Sequence, residues 1–229
     1  MNSTSNVLLL LLHFLSVLTI KFFCGGTLYN QEWVLTSGHC VYNAILFTIQ
    51  LGSAKLEGED PSRETVATSE YIIHPDFNPN TITNDIGLIK FRMPIQYTDY
   101  IRPINLPIRA TQESELVIST GWGQTSDTDA QLSNVLQNVV LTSLSNEECR
   151  TVYGNQITET MICAAGNYNE GICIGDTGSP LIDHQTLWGT PTIVGISSFM
   201  SANGCENTDP SGYTRTYYYI DWIKNVTAS

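Results

Sequence analysis

The sequence predicts an all-β fold. Short runs of apolar and β-branched residues recur along the 229-residue chain, and turn signals rich in Gly, Pro and Asn separate them. Only 14% of the residues are charged, while Gly and Tyr number 17 and 11, a composition that favours strands and turns over helical bundles. No repeat or low-complexity block divides the chain, so the many short strands predict a sandwich or a barrel.

Six runs have the composition of strands and are bounded by turn residues. They are Trp33–Thr36, Ile45–Leu51, Ile86–Phe91, Val117–Thr120, Val135–Leu141 and Ile193–Ile196. Between them lie turns such as His74-Pro75-Asp76 and Asn203-Gly204. Their regular alternation with turns is the pattern of an antiparallel β domain.

Two helices are also predicted. Ser145 and Glu148 form a capping box, in which each side chain satisfies a free backbone N–H at the start of the first helix. The second helix lies near the C-terminus, where helical spacing places four apolar side chains on one face: Tyr219, Trp222, Ile223 and Val226. We expect that face to dock the terminal helix onto the body of the domain.

The nearly unbroken apolar run Val7–Ile20 has two interpretations. It is too short for a membrane span, which needs about 20 residues, and its length suits the core of a signal peptide. No Lys or Arg precedes it, however, and no Ala-x-Ala site follows it. We therefore predict that residues 1–21 are a signal peptide or the remnant of a truncated N-terminus, followed by one domain at 22–229. In the alternative, part of the run is a buried strand of that domain.

Charge and cysteine content narrow the classes of partner and compartment. The net charge of −12 would repel nucleic acid and anionic membranes, so neither is expected as a partner of the mature protein. Six cysteines, with no Cys-x-x-Cys pair, predict three disulfides in a secreted protein, with their connectivity open. We expect no metal and no cofactor, and we expect a monomer. The sequon at Asn225 is a candidate glycosylation site.

Three segments carry residues typical of nucleophilic catalysis. Phe23-Cys-Gly-Gly-Thr-Leu28 leads on to a Ser-Gly-His39-Cys40 sequence, Asn84 precedes Asp85, and Thr177 lies in Gly175-Asp-Thr-Gly-Ser-Pro180. A His, then an Asp, then a hydroxyl residue between glycines is one of the known chain orders of a catalytic triad. His39, Asp85 and Thr177 are therefore the candidate catalytic residues.

These segments resemble the chymotrypsin-like serine proteases of the trypsin superfamily, in particular their arthropod brachyurin and chymotrypsin branch. The Gly121-Trp-Gly123, Gly212–Arg215 and Ile220–Ile223 segments are similar to that family as well. The resemblance implies two six-stranded antiparallel β-barrels, at 22–110 and 111–229, with a C-terminal helix. The first strand of barrel one is missing from residue 22 onward, unless leucines of the Val7–Leu12 run supply it.

The same resemblance implies a role for each candidate site residue. His39 is the general base, Asp85 orients it, and the N–H groups of Gly175 and Thr177 form the oxyanion hole. Asp176 is the partner of a freed N-terminal ammonium. Four residues are implied in the specificity pocket: Gly171, Ser198, Met200 and Ser211. The implied disulfides are Cys24–Cys40, Cys149–Cys163 and Cys173–Cys205.

The specificity pocket implied by the resemblance carries no charge. Gly171 and Ser211 leave it neutral, so an apolar side chain before the scissile bond is favoured over Arg or Lys. Met200 either narrows the entrance or fills the pocket outright. A protein or peptide is the ligand expected in the cleft between the barrels.

Two departures from the family pattern bear on function. The family motif is Gly-Asp-Ser-Gly-Gly-Pro, whereas this chain has Thr177 at the nucleophile and Ser179 two places later. An Ile-Val-Gly-Gly activation sequence is also not found ahead of Phe23. We therefore expect a secreted protease homologue with weak or no peptidase activity that binds ligands in its cleft. The alternative is an active endopeptidase that cleaves after apolar residues with a His39–Asp85–Thr177 triad, from an N-terminally truncated gene model.

Overall fold

The computed structural model describes residues 9–15, 21–183 and 191–228. His184, to which the sequence gives no role, lies outside those residues, as do the two ends of the apolar run. No helix in the described part of the chain is long and apolar enough to cross a membrane.

The described residues form thirteen strands and three short α-helices. The strands of the N-terminal half are β1 Leu9–Leu15, β2 Lys21–Leu28, β3 Trp33–Thr36, β4 Phe47–Leu51, β5 Glu64–Thr68, β6 Glu70–Ile73 and β7 Gly87–Lys90. Those of the C-terminal half are β8 Leu116–Gly121, β9 Gln137–Leu144, β10 Met161–Ala165, β11 Pro180–Asp183, β12 Ile193–Phe199 and β13 Ser211–Arg215. The helices are α1 Gly38–Val41, α2 Asn146–Tyr153 and α3 Ile220–Thr227.

The first seven strands form one antiparallel sheet in the order β5-β4-β1-β2-β3-β7-β6. Its middle is the apolar run: β1 pairs with β2 from Leu9 to Leu15 and with β4 from Leu11 to Phe14. Part of the run is thus a strand of the domain, as the alternative interpretation expected, and the first strand of barrel one is present. Whether residues 1–21 are removed as a signal peptide stays a prediction.

The last six strands close into a barrel in the order β10-β13-β12-β11-β8-β9. This closed barrel and the all-β class confirm the predicted fold class and one of the two predicted barrels. The N-terminal half differs from the expected six-stranded barrel in having seven strands. The reason is that the 64–73 segment is divided at Ser69 into β5, which pairs with β4, and β6, which pairs with β7.

Both predicted helices are present. Ser145 caps α2, its hydroxyl accepts a hydrogen bond from the Glu148 N–H, and the Glu148 carboxylate accepts one from the Ser145 N–H. The α3 face packs on a core that draws residues from both halves of the chain, among them Leu88 and Ile193. The C-terminal helix therefore holds the two halves together beside the segment that carries Asp85.

Candidate active site

His39 and Asp85 meet between the two halves of the molecule. His39 lies on α1, directly after β3, and Asp85 precedes β7, the neighbour of β3 in the sheet. The His39 Nδ1 atom is 2.8 Å from Asp85 Oδ2, and the His39 backbone N–H donates to Oδ1 at 2.8 Å. Because a carboxylate only accepts hydrogen bonds, Nδ1 carries the proton and Nε2 is left to act as a base.

Asp85 is almost completely buried, with 1% of its surface exposed. The Ser198 hydroxyl donates to its Oδ2 at 2.5 Å, and the Thr214 hydroxyl donates to its backbone carbonyl at 2.7 Å. Ser198 lies on β12 and Thr214 on β13, so the C-terminal barrel satisfies both the carboxylate and the backbone carbonyl of a residue that the N-terminal half supplies. A buried carboxylate without such partners would be strongly destabilising.

Thr177 lies on the loop between Cys173 and β11, and it lines the same cleft as His39. The loop is held by main-chain hydrogen bonds, including Gly178 N–H to Ser197 O at 2.8 Å and Gly25 N–H to Thr177 O at 2.7 Å. Within the described residues, no hydrogen bond joins the Thr177 hydroxyl to His39. His39 and Thr177 therefore line one cleft, with Asp85 buried in contact with His39, but the hydrogen bond that activates a nucleophile is not present among the described residues.

Glycines shape the backbone on both sides of Thr177. Gly175 and Gly178 have φ values of +99° and +82°, which side-chain-bearing residues rarely adopt. A Cβ at Gly178 would also lie 2.4 Å from the Gly25 carbonyl oxygen. Across residues 9–15, 21–183 and 191–228, neither the Gly175 nor the Thr177 N–H donates to another group of the chain. Both are free to bind an oxyanion, as the resemblance implies.

Asp176 turns away from the cleft into a second cavity of about 240 Å³. Its carboxylate accepts hydrogen bonds from the N–H groups of Gly123 at 2.8 Å and Cys173 at 2.9 Å. A Cβ at Gly121 or Gly123 would collide with that carboxylate, so these glycines make room for it. Burial raises the pKa of Asp176 to about 6, against the lowering effect of the two N–H bonds.

Of the four residues implied in the specificity pocket, Ser198 and Met200 line the cleft, which has a volume of about 610 Å³. Ser211 is buried, and its hydroxyl accepts a hydrogen bond at 3.0 Å from the N–H of Ile172, which also lines the cleft. Gly171 borders the Asp176 cavity and lies against Ser211, because a Cβ at Gly171 would be 2.6 Å from the Ser211 Oγ. Met200 packs against a buried cluster that includes Ile172. Its side chain therefore takes up space on that side of the cleft.

The disulfides are the three pairs implied by the resemblance: Cys24–Cys40, Cys149–Cys163 and Cys173–Cys205. Cys24–Cys40 joins β2 to α1, the helix that carries His39. Cys173–Cys205 joins the Thr177 loop to the segment after β12. Both sides of the cleft are thus covalently braced.

Comparison with known proteins agrees with this geometry. The trypsin family model matches residues 12–223. The chain belongs to the trypsin family of chymotrypsin-like serine proteases. It is 34% identical to brachyurin from Leptuca pugilator, over 90% of this chain and 88% of that protein. It is 37% identical to collagenase from Hypoderma lineatum, over 90% of this chain and 77% of that protein.

A solved structure is similar over almost the whole chain. The structure of HL collagenase superposes with a TM-score of 0.84 at 33% identity, covering 99% of this chain and 95% of that one. The trypsin-family match begins inside β1, at residue 12. The family match therefore includes the second half of β1, from residue 12.

Sequence reasoning missed several residues that shape this trypsin-family site. Asn84 has a left-handed backbone with φ of 53°, and it accepts a hydrogen bond from the Tyr219 hydroxyl at 2.9 Å and donates one to the Asp76 carbonyl at 2.9 Å. Asn84 thereby ties the Asp85 segment to the C-terminal helix region. Phe22, Tyr42 and Ile174 line the cleft, and no periodicity in the sequence marks them.

Proposed function

We propose that this trypsin-family protein is secreted, binds peptides or proteins in the cleft beside His39, and hydrolyses them weakly or not at all. The observation that carries the proposal is Thr177 at the nucleophile position. The rest of the acyl-transfer machinery, namely the His39–Asp85 pair and two free N–H donors, supports a peptide-binding cleft of protease type. The three disulfides support an oxidising compartment.

In the hydrolytic reaction, His39 Nε2 would remove the nucleophile's proton while Asp85 holds the ring and stabilises its charged form. The hydroxyl oxygen would attack the peptide carbonyl, and the Gly175 and Thr177 N–H groups would bind the developing oxyanion. His39 would then protonate the departing amine. A water molecule deprotonated by His39 would attack the resulting acyl ester, and His39 would return that proton to the hydroxyl oxygen as the acid leaves. Thr177 retains the hydroxyl that the nucleophilic step requires.

The obstacle is steric. A threonine Cβ carries a methyl as well as the hydroxyl, which restricts its χ1 rotamer. When the oxygen turns to His39, the methyl occupies space required by the substrate carbonyl, the oxyanion or the imidazole. A displacement of about 1 Å at such a site costs about 100-fold in rate. Threonine nucleophiles elsewhere use their own N-terminal amine as the base, which an internal Thr177 lacks.

The His39–Asp85 geometry favours a second candidate, an active endopeptidase with Thr177 as its nucleophile. The 2.8 Å His39–Asp85 bond, the buried Asp85 and the left-handed glycines at 175 and 178 are all features that catalysis requires. In that case the cleft would hydrolyse peptide bonds after apolar residues. The two candidates differ in one measurable quantity, the turnover supported by Thr177.

Thr177→Ser tests the proposal. We expect the substitution to raise kcat/KM for an activated thioester substrate by about 100-fold or more, because it removes the methyl and leaves His39, Asp85 and the loop in place. Ser179→Ala is the matched control: Ser179 is a buried residue of the same loop whose hydroxyl makes no hydrogen bond in the described structure, so its substitution should leave turnover unchanged. Turnover by the natural chain that is well above that of Thr177→Ala and equal to that of Thr177→Ser would favour the active-enzyme candidate.

We also propose that Asn225 carries a glycan and that the protein acts as a monomer. Asn225 lies exposed on α3, so an oligosaccharide there would not displace packed side chains. The net charge of −12 supports a protein or peptide partner over nucleic acid. Enzymatic deglycosylation of secreted protein, followed by mass measurement of the 220–228 peptide, tests the glycan.

A further inference from the structure

His74 lies beside the Asp85 segment and does not line the cleft. It begins the His74-Pro75-Asp76 turn directly after β6, and its side chain is half-buried. Its backbone N–H donates to the Ile86 carbonyl at 3.1 Å. His74 is thus fixed to the residue that follows Asp85, the carboxylate that orients the candidate base.

A chain of hydrogen bonds also links the His74 ring to the residue before Asp85. The His74 Nδ1 atom accepts from the Asp76 N–H at 3.2 Å. The Asp76 carbonyl accepts from the Asn84 side-chain amide at 2.9 Å, and the Asn84 side-chain oxygen accepts from the Tyr219 hydroxyl at 2.9 Å. Asn84 has a left-handed backbone, which is uncommon for a residue with a side chain, so these bonds hold a strained position next to Asp85.

This arrangement requires the neutral form of His74. A ring nitrogen accepts a hydrogen bond only when it carries no proton, so protonation of Nδ1 would set two donors, Nδ1–H and the Asp76 N–H, against each other. Burial lowers the pKa of His74 below its ordinary value of 6.5, while the Asp76 carboxylate raises it. The folded protein therefore disfavours the charged ring, which takes up its proton only in acidic solution.

Aromatic residues cover the side of the His74 ring that faces the C-terminal helix. Tyr219 and Trp222 lie against it, with 5.3 and 5.1 Å between ring centroids. Burial raises the pKa of Tyr219, so its phenol stays neutral in the range in which His74 titrates. The charged side chains of α3, Asp221 and Lys224, are exposed. Among the described residues, this side of the ring therefore offers no buried counter-ion.

The anion available to a charged ring belongs to its own turn. The Asp76 carboxylate is exposed and acts on His74, whereas Asp85, on the β7 side, is buried and already bonded to His39. A movement that brought the Asp76 carboxylate to Nδ1–H would turn the Asp76 peptide and separate its carbonyl from the Asn84 amide. Asn84 would then lose one of the two side-chain bonds that hold it beside Asp85.

We propose that His74 is a positioning residue for Asp85: its neutral form fixes the turn that anchors Asn84, and its protonation releases that anchor and loosens the His39–Asp85 pair. His74 has this role only if the His39–Asp85 pair serves the cleft, so the inference rests on the proposed function. The site would then lose competence in acidic solution through a residue that lies outside the cleft.

NMR of the isotope-labelled natural chain tests the first link. As the pH falls from about 8 to about 5, the side-chain amide resonances of Asn84 should shift with the same midpoint as the His74 ring, because the proton on the ring ends the bond that holds the turn. Asn146 is the control, since its amide belongs to α2 and donates to the Thr158 carbonyl at 2.7 Å. Its resonances should not follow the His74 midpoint.

Two substitutions separate the hydrogen bond from the ring. His74→Asn keeps an acceptor, because an Asn side-chain oxygen can bond the N–H two residues on, and it cannot be protonated in this range. His74→Phe keeps an aromatic ring against Tyr219 and Trp222 but removes the acceptor. Rescue by Asn and loss in Phe would therefore assign the effect to the bond with the Asp76 N–H.

Phosphonate labelling in the Thr177→Ser background measures the consequence for the site. The His39 base is the same in every variant, so each labelling rate at about pH 5 is divided by the rate of the same protein at about pH 8. We expect this ratio to be about fivefold higher for His74→Asn than for the protein with His74, which is the effect of one hydrogen bond. His74→Phe should label about fivefold more slowly than the protein with His74 at about pH 8, because it lacks the acceptor at every pH.

Two results would overturn the inference. Asn84 resonances that do not move when His74 takes up its proton would show that the ring is not coupled to the anchor. A rate ratio for His74→Asn equal to that of the protein with His74 would show that the coupling does not reach the site. Equal thermal midpoints would show that the variants are folded, and if His74→Phe does not fold, the His74→Asn ratio decides.

Failure of the proposed function would have a different signature. A Thr177→Ser variant that does not react with the phosphonate would count against the proposed catalytic ancestry of the cleft. The Asn84 resonances of the natural chain need no reaction at residue 177, so they would still decide whether His74 holds the Asp85 segment.

Discussion

Asp176→Asn should remove a pH dependence from the stability of the protein. Asp176 has an ordinary pKa near 3.8 when unfolded, and burial raises the folded-state pKa to about 6. The folded protein therefore binds a proton that the unfolded chain releases between about pH 4 and pH 6. The stability that this group contributes is fully present below about pH 4 and is lost as the pH rises through about 6.

The size of the effect follows from the pKa shift. A difference of about two pKa units is worth about 3 kcal/mol, and the group borders a cavity, so we expect a loss of about 1–3 kcal/mol of unfolding free energy from this residue between pH 4 and pH 7. The absolute stability of Asp176→Asn is a weaker test, because the Gly123 and Cys173 N–H groups bond to different carboxylate oxygens, and Asn replaces one of those acceptors with an NH2 donor. The informative quantity is the slope against pH.

Urea unfolding with the disulfides intact, repeated from pH 4 to pH 7.5, measures that slope. The natural chain should lose more stability across this range than Asp176→Asn does, by about 1–3 kcal/mol. Asp129→Asn is the control, since Asp129 is exposed and should leave the slope unchanged. Parallel curves for the natural chain and Asp176→Asn would refute the reasoning, because Asp176 would then have the same proton affinity folded and unfolded.

Three further predictions concern the stability of the residues and strands that support the site. Ser179→Ala should stabilise the protein by about 1 kcal/mol in urea unfolding, because it removes a buried hydroxyl that has no hydrogen-bond partner in the described structure; a loss of stability would mean that the hydroxyl is bonded. Asn84→Ala should cost about 2 kcal/mol, since it forces a left-handed backbone on Ala and removes the bonds to Tyr219 and Asp76, and Tyr219→Phe, which removes only one of them, should cost less. Deleting residues 1–15 should lower the thermal midpoint by about 10 °C or more, since it unpairs β2 and β4; an unchanged midpoint would mean that β1 is dispensable.

The elements that the sequence predicted best are those with strong local signals. The capping box at Ser145 and the helical spacing from Tyr219 to Val226 depend only on neighbouring residues, and both helices are present. Strands such as Trp33–Thr36 are bounded by turn residues and were placed to the residue. By contrast, β10 and β13 lie beside cysteine-rich and glycine-rich segments without clear alternation, and their pairing depends on contacts distant in sequence.

The apolar run shows where local reasoning is ambiguous. A continuous apolar stretch of this length suits both a signal peptide and a strand covered on both sides, because each requires only apolar residues. What distinguishes them is the presence of two strands, β2 and β4, whose edges face each other across the space that β1 fills. Such a gap is a property of the folded sheet and has no local signature in the sequence.

Only part of the site was predictable from the sequence, because the fold brings some of its residues together without any local sequence signature. His39, Asp85 and Thr177 belong to motifs with recognisable neighbours; His39 and Thr177 line the cleft, and Asp85 is buried in contact with His39. The assignment of Gly171 and Ser211 to the specificity pocket comes from the family resemblance and stays a prediction; in the fold the two residues are in contact. Phe22 and Ile174 have no motif at all, so only the fold reveals that they line the cleft.

The most direct test of the central claim is covalent labelling of the natural chain by an aryl phosphonate probe, with Thr177→Ser and Thr177→Ala prepared in parallel. Mass spectrometry of the loop peptide would read the adduct at residue 177. The account predicts strong labelling of Thr177→Ser, none of Thr177→Ala, and labelling of the natural chain at least about 100-fold slower than that of Thr177→Ser. Labelling of Thr177 in the natural chain as fast as in Thr177→Ser would contradict it and show a competent threonine nucleophile.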